Sequence, residues 1–278
     1  MTNSSIRPIR LAILALVISF FSCSSPVIKD HEQLEKERLS KNRVKVMRLY
    51  SVNLGKTEVN LNDKTLMKEF YYDPQGNLKT VYGYINGTRE LNKIVRYDDN
   101  QNKTLEIWLK VNPYMDYQYY QMRFTYNEKN IQTSWNIHLP DGSFSAKYIY
   151  GYDAKDRLIS DVYQNTVGDT IAIDSLFYLT DARDPYERRI YEYDDNSILR
   201  LHSHIKYQYN GNRLVVSERE YLGSGVDKII DHFTNTYDEN GLLRQRIRWD
   251  IDPYLPVEEW IILEWLTYEY VTYKLPVE

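Results

Sequence analysis

Hydrophobic and polar residues alternate along most of the chain after residue 43. Tyrosines often stand two positions apart, as in Tyr148, Tyr150 and Tyr152. A spacing of two places side chains on one face of a β-strand, where aromatic residues are favoured. No segment of this region keeps the period of a helix over several turns. The pattern therefore predicts an all-β protein.

A short unit recurs within the alternating region. It consists of a tyrosine, an aspartate or asparagine, a few polar residues, and a leucine or isoleucine. The copies are YYDPQGNL (71–78), YDDNQNKTL (97–105), YNEKNI (126–131), YDAKDRL (152–158), YDDNSIL (193–199), YNGNRL (209–214) and YDENGLL (237–243). Asp and Asn cap the backbone of a tight turn, and Gly or Asn tolerates the positive φ at its last position. Each copy predicts a strand that ends at tyrosine, a turn, and a new strand.

These hairpins predict an up-and-down antiparallel meander. Strongly twisted open sheets rarely exceed about 10 strands without curling, so we expect a half-pipe, a spiral or an open barrel. Two predicted strands separate most consecutive copies of the unit, but three separate Tyr152 from Tyr193 and only one separates Tyr193 from Tyr209. The turn at 194–197 is therefore predicted to lie at the opposite edge of the sheet from the others.

The units resemble the tyrosine-aspartate (YD, or RHS-type) repeats of bacterial surface proteins. The fuller family pattern places a glycine four residues after the tyrosine and a leucine two residues later. Two copies match it in full: Tyr72, Asp73, Gly76 and Leu78, and Tyr237, Asp238, Gly241 and Leu243. The resemblance covers roughly residues 65–250. It implies a β-hairpin architecture in an envelope setting and brings no catalytic residues with it.

The first residues follow the plan of a secretory signal. Arg7 and Arg10 precede an apolar run, Leu11–Phe21, that is shorter than the roughly 20 residues needed to span a bilayer. Cys23 is the only cysteine and follows this run, so no disulfide can form within one chain. The arrangement resembles the lipobox of bacterial lipoproteins, which implies cleavage before Cys23 and its lipidation. The alternative is a signal cut elsewhere and a free thiol.

Three segments follow from these features: a lipoprotein signal peptide (1–22), a lipidated cysteine with a charged tether (23–43), and a repeat β-sheet domain (44–278). The tether is rich in charge and lacks aromatic residues, so it is expected to lie outside the packed core, with about two helical turns. The predicted location is the outer membrane, with the domain anchored by lipid on the periplasmic or the cell-surface side.

Charge and motifs narrow the function. The chain carries 39 acidic against 35 basic residues, which disfavours nucleic acid as a partner. It has no nucleophile-elbow, zinc-protease or phosphate-loop motif, so the sequence predicts no cofactor, no metal and no catalytic residue. A carboxylate pair of the glycosidase type stays open, because acids are abundant.

Two features are candidates for binding. Arg244, Arg246 and Arg248 form a cationic stripe on one strand face, suited to an acidic glycan, a lipid headgroup or an acidic protein, or else paired with acids on the adjoining strand. Trp108 shares a strand face with charged residues. Its ring is therefore expected either to be exposed as a contact residue or to cover the stems of its neighbours.

The sequence thus predicts an outer-membrane lipoprotein that acts as a non-catalytic binding or scaffolding module for a glycan or an envelope protein. A glycan-binding or glycan-processing surface lipoprotein is the alternative, since tyrosine rings stack on sugars. A third possibility is an integral β-barrel, because several predicted strands approach the length of about 9–11 residues that such barrels use. Polar residues on both faces of several strands argue against it.

Overall fold

The computed structural model describes residues 28–54, 59–109, 119–180, 182–194, 196–223, 229–250 and 261–274. Within these ranges one helix, α1 (Ile28–Lys41), precedes sixteen β-strands. The strands in chain order are β1 (Val44–Leu54), β2 (Val59–Tyr72), β3 (Leu78–Ile85), β4 (Thr88–Tyr97), β5 (Lys103–Leu109), β6 (Tyr119–Tyr126), β7 (Gln132–His138), β8 (Phe144–Tyr152), β9 (Leu158–Gln164), β10 (Thr170–Tyr178), β11 (Pro185–Tyr193), β12 (Leu199–Tyr209), β13 (Val215–Leu222), β14 (Ile229–Tyr237), β15 (Leu243–Asp250) and β16 (Ile261–Thr272).

The strands form one closed antiparallel barrel in which every strand pairs with its neighbours in the chain. The first and last strands complete the ring, with Met47 of β1 opposite Tyr270 of β16. On its other side Met47 lies opposite Phe70 of β2. The predicted all-β meander is confirmed, and it curls into a barrel as one alternative expected, but the barrel is closed and not open. Closure leaves the sheet without a free edge.

The turns of the repeated unit share one bonding pattern. In the last copy the Asp238 carboxylate accepts hydrogen bonds from the backbone N–H groups of Asn240 and Leu242, at 3.0 and 2.9 Å. Gly241 adopts a φ of 75°, which closes the turn. Positive φ recurs at the equivalent position of other such turns: Gly76, Gln101, Asn130, Asp156, Gly168, Ser197 and Arg213. The unit is thus a hairpin corner, as predicted.

The tyrosine of the unit joins neighbouring hairpins. The Tyr152 hydroxyl at the end of β8 donates to the carbonyl of Gln132 at the start of β7, at 2.7 Å. Equivalent bonds run from Tyr126 to Lys103, Tyr178 to Leu158, Tyr209 to Pro185, Tyr237 to Val215 and Tyr270 to Leu243. Phenylalanine would fill the same space but leave the carbonyl without this donor. The hydroxyl thus gives four copies of the unit, those at Tyr126, Tyr152, Tyr209 and Tyr237, a reason to use tyrosine.

The barrel has two distinct ends. Copies of the unit that join an even-numbered strand to an odd-numbered one lie at one end, here called the tyrosine rim. The turn at 194–198 joins β11 to β12 and therefore lies at the opposite end, here called the loop rim. This confirms the prediction made from counting strands.

Helix α1 packs against the tyrosine rim. Leu39 is only 3% exposed and belongs to an apolar cluster with Tyr72 and Leu242. The Ser40 hydroxyl donates to the carbonyl of Pro74 in the β2–β3 turn, at 2.9 Å. The expectation that this charged segment stays outside the core is therefore wrong, because a single leucine docks it although the segment as a whole is polar. Among the described residues, no helix is long and apolar enough to cross a membrane.

Gly76 lets the helix approach the rim. It adopts a φ of 80°, and a Cβ at this position would clash with the backbone carbonyl of Lys36 in α1. The glycine of the unit therefore serves the turn and the helix contact together. A further contact comes from Arg38, whose guanidinium donates to the carbonyl of Asn212 in the β12–β13 turn, at 3.3 Å.

Side chains alternate between an inner and an outer wall. Phe70 and Tyr72 pack against the cluster that holds α1, so their face of the sheet is the inner wall. The strand registers carry this face around the barrel. Buried apolar residues on it include Val81, Val95, Met122, Trp135, Ile137, Ala146 and Leu176. The outer wall carries polar and charged residues that include Arg48, Glu69, Arg189, Lys206 and Arg219.

Candidate functional site on the inner wall

The inner wall carries a row of aromatic rings from β5 to β9, here called the aromatic row. Its members are Trp108, Tyr120, Phe124, Trp135, Tyr148 and Tyr163. Trp135 and Tyr148 stack with ring centroids 4.2 Å apart, and Tyr148 lies 4.8 Å from Tyr163. The rings pair across neighbouring strands, which is the arrangement that stabilises a sheet face. The row separates two carboxyl-centred clusters.

The first cluster, here called the Glu106 cluster, consists of Glu106, Lys93, Lys103 and Trp108. Glu106 is 5% exposed. Its carboxylate lies 2.7 Å from the Lys93 ammonium and accepts a hydrogen bond from the Trp108 indole at 2.5 Å. Lys103 lies 3.6 Å from the second carboxylate oxygen and 3.1 Å from Glu32 of α1. The cluster therefore links the inner wall to the helix.

Charge balance decides the ionisation of Glu106. Burial alone would raise the pKa of this carboxyl group, but the ammonium groups of Lys93 and Lys103 more than offset it. Together with the indole hydrogen bond they lower the pKa of Glu106 to about 2. The group is a stable carboxylate at neutral pH.

Trp108 does not occupy the exposed position that was one of its two predicted settings. Its ring is half-buried, stacks on Tyr120 at 6.0 Å between centroids, and lies 3.8 Å from the Lys93 ammonium. The ring thus covers a charged neighbour, which was the other setting. The strand face that Trp108 shares with charged residues is the inner wall of this barrel, and the face with Leu105 and Ile107 is the outer wall.

The second cluster, here called the Asp161 cluster, consists of Asp161, Asp174, Arg188 and Tyr150. Asp161 is 7% exposed and lies directly opposite Tyr150 on β8 and Asp174 on β10. The Arg188 guanidinium binds the Asp174 carboxylate. One carboxylate oxygen of Asp161, Oδ1, is buried and accepts no hydrogen bond from the described part of the chain.

The electrostatics of Asp161 are opposite to those of Glu106. Burial raises the pKa of Asp161 well above its usual range, and the Asp174 carboxylate raises it further. Arg188 opposes this shift without cancelling it. Perturbed carboxyl groups of this kind concentrate at functional sites. The arrangement suits proton donation by Asp161 or capture of a hydrogen-bonding cation.

The arginine stripe is placed partly on the inner wall. Arg246 and Arg248 lie there, opposite Asn235 and Phe233 of β14. Each arginine has an acidic neighbour: Arg244 with Asp238 at 2.8 Å, Arg246 with Glu218 at 3.1 Å, and Arg248 with Asp231 at 2.5 Å. An anionic ligand at the stripe would have to compete with these carboxylates. Cys23, the predicted lipidation site, lies outside the described residues.

The structure does not bring all predicted contact residues together. Trp108 belongs to the Glu106 cluster on β5, and the arginine stripe lies on β15. Sequence reasoning missed the Asp161 cluster. One signal was available, because Asp161 and Asp174 stand two positions from Tyr163 and Leu176 and so share the face of apolar residues. Among the described residues, no group of three or more potential metal ligands occurs.

Comparison with known proteins gives the fold. No protein-family model matches the chain, and no curated protein is significantly similar to it. A porin-like protein from Bacteroides uniformis superposes with a TM-score of 0.50 at 12% identity, covering 83% of this chain and 97% of that chain. Another, from Bacteroides vulgatus, has a TM-score of 0.36 at 11% identity, covering 82% and 99%. The TcdB2-TccC3 structure has a TM-score of 0.28 at 12% identity, and the match covers 75% of this chain and 16% of that chain.

The first similarity shows a related fold at low identity. The scores of the other two are too low to support an argument about this chain. A resemblance to YD repeats therefore continues to depend on the motifs in the sequence.

Proposed function

We propose that the protein is a lipid-anchored lipoprotein of the outer membrane whose barrel is a non-catalytic binding module, with its ligand surface on the inner wall. The contrast between the two walls carries this proposal. The inner wall holds the aromatic row and both carboxyl clusters, whereas the outer wall carries ion pairs such as Arg48–Glu69 beside apolar residues such as Ile107 and Ile247. The fold similarity to a porin-like protein supports an envelope setting.

The outer wall favours a lipid anchor over an integral barrel. Glu69 bridges Arg48 and Arg89 at 3.1 and 3.0 Å on this wall. Arg189 and Glu187 form another ion pair there, at 2.9 Å. An arginine or lysine that faces lipid near the bilayer midplane costs about 2–4 kcal/mol. A wall with several such groups is suited to water.

The helix would hold the barrel close to its anchor. Helix α1 begins at Ile28, a few residues after Cys23. A chain of five residues spans at most about 18 Å. Because α1 packs against the tyrosine rim, a lipidated Cys23 would keep that rim near the membrane and direct the loop rim away from it.

The anchor is tested by replacing the cysteine in the full-length chain. Wild-type protein is expected to incorporate an alkyne-labelled fatty acid and to sediment with membranes, whereas Cys23→Ser should do neither. Carbonate extraction separates the alternatives. A Cys23→Ser protein that carries no label yet resists carbonate would contradict the proposal and indicate an integral barrel.

A glycan is the second candidate ligand, because the aromatic row supplies rings and hydroxyl groups on one wall. Calorimetry with a panel of oligosaccharides tests it. We expect Trp108→Ala to weaken binding about tenfold, equivalent to about 1.4 kcal/mol. Trp249→Ala is the matched control, since that indole lies on the outer wall and donates to Thr234 at 2.9 Å. Equal losses in both variants would exclude the inner wall as the glycan site.

A further inference from the structure

The Asp161 cluster has more carboxyl groups than cations. It contains two carboxyl groups, on Asp161 and Asp174, and one guanidinium, on Arg188. The guanidinium binds Asp174, whose side chain is only 14% exposed. Asp161 is 7% exposed and its Oδ1 accepts no hydrogen bond within the described residues. A buried acceptor without a protein donor calls for an explanation, such as a functional role or a bound water or ion.

The surroundings of Asp161 favour a positively charged partner. Tyr150 lies directly opposite it on β8, and Tyr163 stands two positions along its own strand on the same wall. Aromatic rings attract organic cations through their faces. The Asp174 carboxylate on the adjacent strand adds a second negative group beside Asp161.

We propose that the Asp161 cluster binds a small organic cation, an alkylammonium or guanidinium group, with Oδ1 of Asp161 as the hydrogen-bond acceptor. One positive charge balances the cluster, and an N–H donor satisfies the buried oxygen. A metal ion fits less well. Ca²⁺, for example, takes about six or more oxygen ligands. Among the described residues the cluster supplies only two carboxyl groups beside a guanidinium.

Binding is linked to the protonation of Asp161. The groups that face this carboxyl are Tyr150 and Tyr148 on β8, Asp174 on β10 and Arg188 on β11. Asp161 holds its proton to higher pH than a free aspartate, because burial disfavours its charge. A cation binds the deprotonated form, so affinity rises with pH and a proton is released on binding.

Calorimetry on the purified protein tests the site with n-butylammonium and n-butylguanidinium as probes and n-butanol as the neutral control. We expect one of the two cations to bind and n-butanol not to bind. Asp161→Asn should weaken binding by at least about tenfold. Glu264→Gln is the matched control, because it removes an exposed carboxylate from the same wall, and less than about a twofold change is expected.

A pH series completes the test. Affinity for the cation should increase from pH 5 to pH 8 in the wild type and stay constant in Asp161→Asn. Tm measurements show whether the variant is folded, and the carboxyl ¹³C shift of Asp161 in the wild type gives a readout that needs no variant. Equal affinity in wild type and Asp161→Asn, an unchanged carboxyl shift on adding the probes, or a response to Ca²⁺ in place of the amines would overturn the proposal.

This inference rests on the proposal that ligands bind at the inner wall and deepens it by naming a ligand class. Its failure can be distinguished from failure of the lipoprotein assignment. The calorimetry does not depend on Cys23, and fatty-acid labelling does not depend on Asp161. A wild-type protein that is labelled but binds no amine, together with a Cys23→Ser variant that carbonate extracts, would keep the anchor and exclude only this site.

Discussion

The Glu106 cluster and the Asp161 cluster place similar carboxyl groups in similar surroundings with opposite results. Glu106 and Asp161 are 5% and 7% exposed, and both lie on the inner wall. The pKa of Glu106 is lowered to about 2, whereas that of Asp161 is raised well above its usual range. Two ammonium groups serve the first carboxyl, and one guanidinium is shared by two carboxyls in the second. Burial is common to both, so the local charge count determines the sign.

The difference separates a structural group from a functional one. Glu106 is satisfied, and through Lys103 it is linked to Glu32 of the helix. Asp161 has a buried oxygen that accepts no hydrogen bond from the described residues, and Arg188 offsets only part of the cost of ionising it. A fold keeps a costly group of this kind where something else benefits from it. The two clusters should therefore respond differently to the loss of a carboxylate.

The largest loss of stability is expected when Glu106 is replaced by Gln. Lys93 and Lys103 would keep their charges without the carboxylate, and breaking a buried pair in this way costs about 3–5 kcal/mol. Urea denaturation monitored by circular dichroism measures the free energy of unfolding. Asp156→Asn is the control, because the exposed Lys129–Asp156 pair, at 3.3 Å, should contribute about 0–1 kcal/mol. Equal costs in the two variants would remove the distinction between the clusters.

Acid titration of stability should show Glu106 directly. Its pKa is lowered from 4.5 to about 2 in the folded protein, which corresponds to about 3 kcal/mol at about 1.4 kcal/mol per pKa unit. For a lowered pKa the contribution is complete above the unfolded value and disappears as the pH falls from 4.5 towards 2. Urea midpoints between pH 6 and pH 2 measure it. Glu106→Gln should flatten this part of the profile, and an unchanged slope would contradict the assignment.

Asp161→Asn should change the free energy of unfolding less than Glu106→Gln does. At high pH it should stabilise the protein, whereas Glu106→Gln destabilises it. A raised folded pKa favours the protonated state, so the wild type loses stability as the pH rises above 3.8 through the folded pKa. The amide cannot ionise and avoids this loss. We expect the variant to be as stable as the wild type near pH 4 and more stable than the wild type at pH 8. Tm values of the wild type and the variant at both pH values test this expectation. A variant less stable than the wild type at pH 8 would show that the Asp161 carboxylate has favourable partners in the folded protein.

The smallest loss of stability is expected when a tyrosine hydroxyl that donates to a backbone carbonyl is removed. Tyr152→Phe removes the hydrogen bond to the carbonyl of Gln132 and should cost about 0.5–1.5 kcal/mol. Tyr186→Phe is the control, since that side chain is 40% exposed and should change stability by less than about 0.5 kcal/mol. Denaturation curves for the pair give the scale against which the carboxyl variants are judged. A cost at position 152 no greater than at 186 would contradict the role assigned to the hydroxyl.

The local features of the fold could be predicted from the sequence. Asp238 and Gly241 specify a turn within five residues, so their meaning does not depend on distant parts of the chain. Counting strands between such turns was enough to place the 194–198 turn at the opposite rim. The tyrosines were correctly assigned to strands, although their hydroxyl bonds were not foreseen.

Features that depend on distant segments could not be predicted. A period of two identifies two faces of a strand but does not say which faces the lumen, and this left two settings open for Trp108. The meeting of Asp161 with Asp174 depends on the β9–β10 register, and that of Arg188 with Asp174 on the β10–β11 register. Docking of α1 depends on Leu39 reaching Leu242, far along the chain. None of these contacts is encoded in a local pattern.

The closure between β1 and β16 has a consequence for the order of folding. Every other strand pairing joins segments that are consecutive in the chain, whereas Met47 of β1 must meet Tyr270 of β16. Contacts between distant segments form late, because the loop they close is costly in entropy. Strand β1 is synthesised before the other strands, and its pairing with β16 is therefore the last to form. Until β16 is in place, an open strand edge is available for pairing with any other chain, so this stage of folding is the one most prone to aggregation.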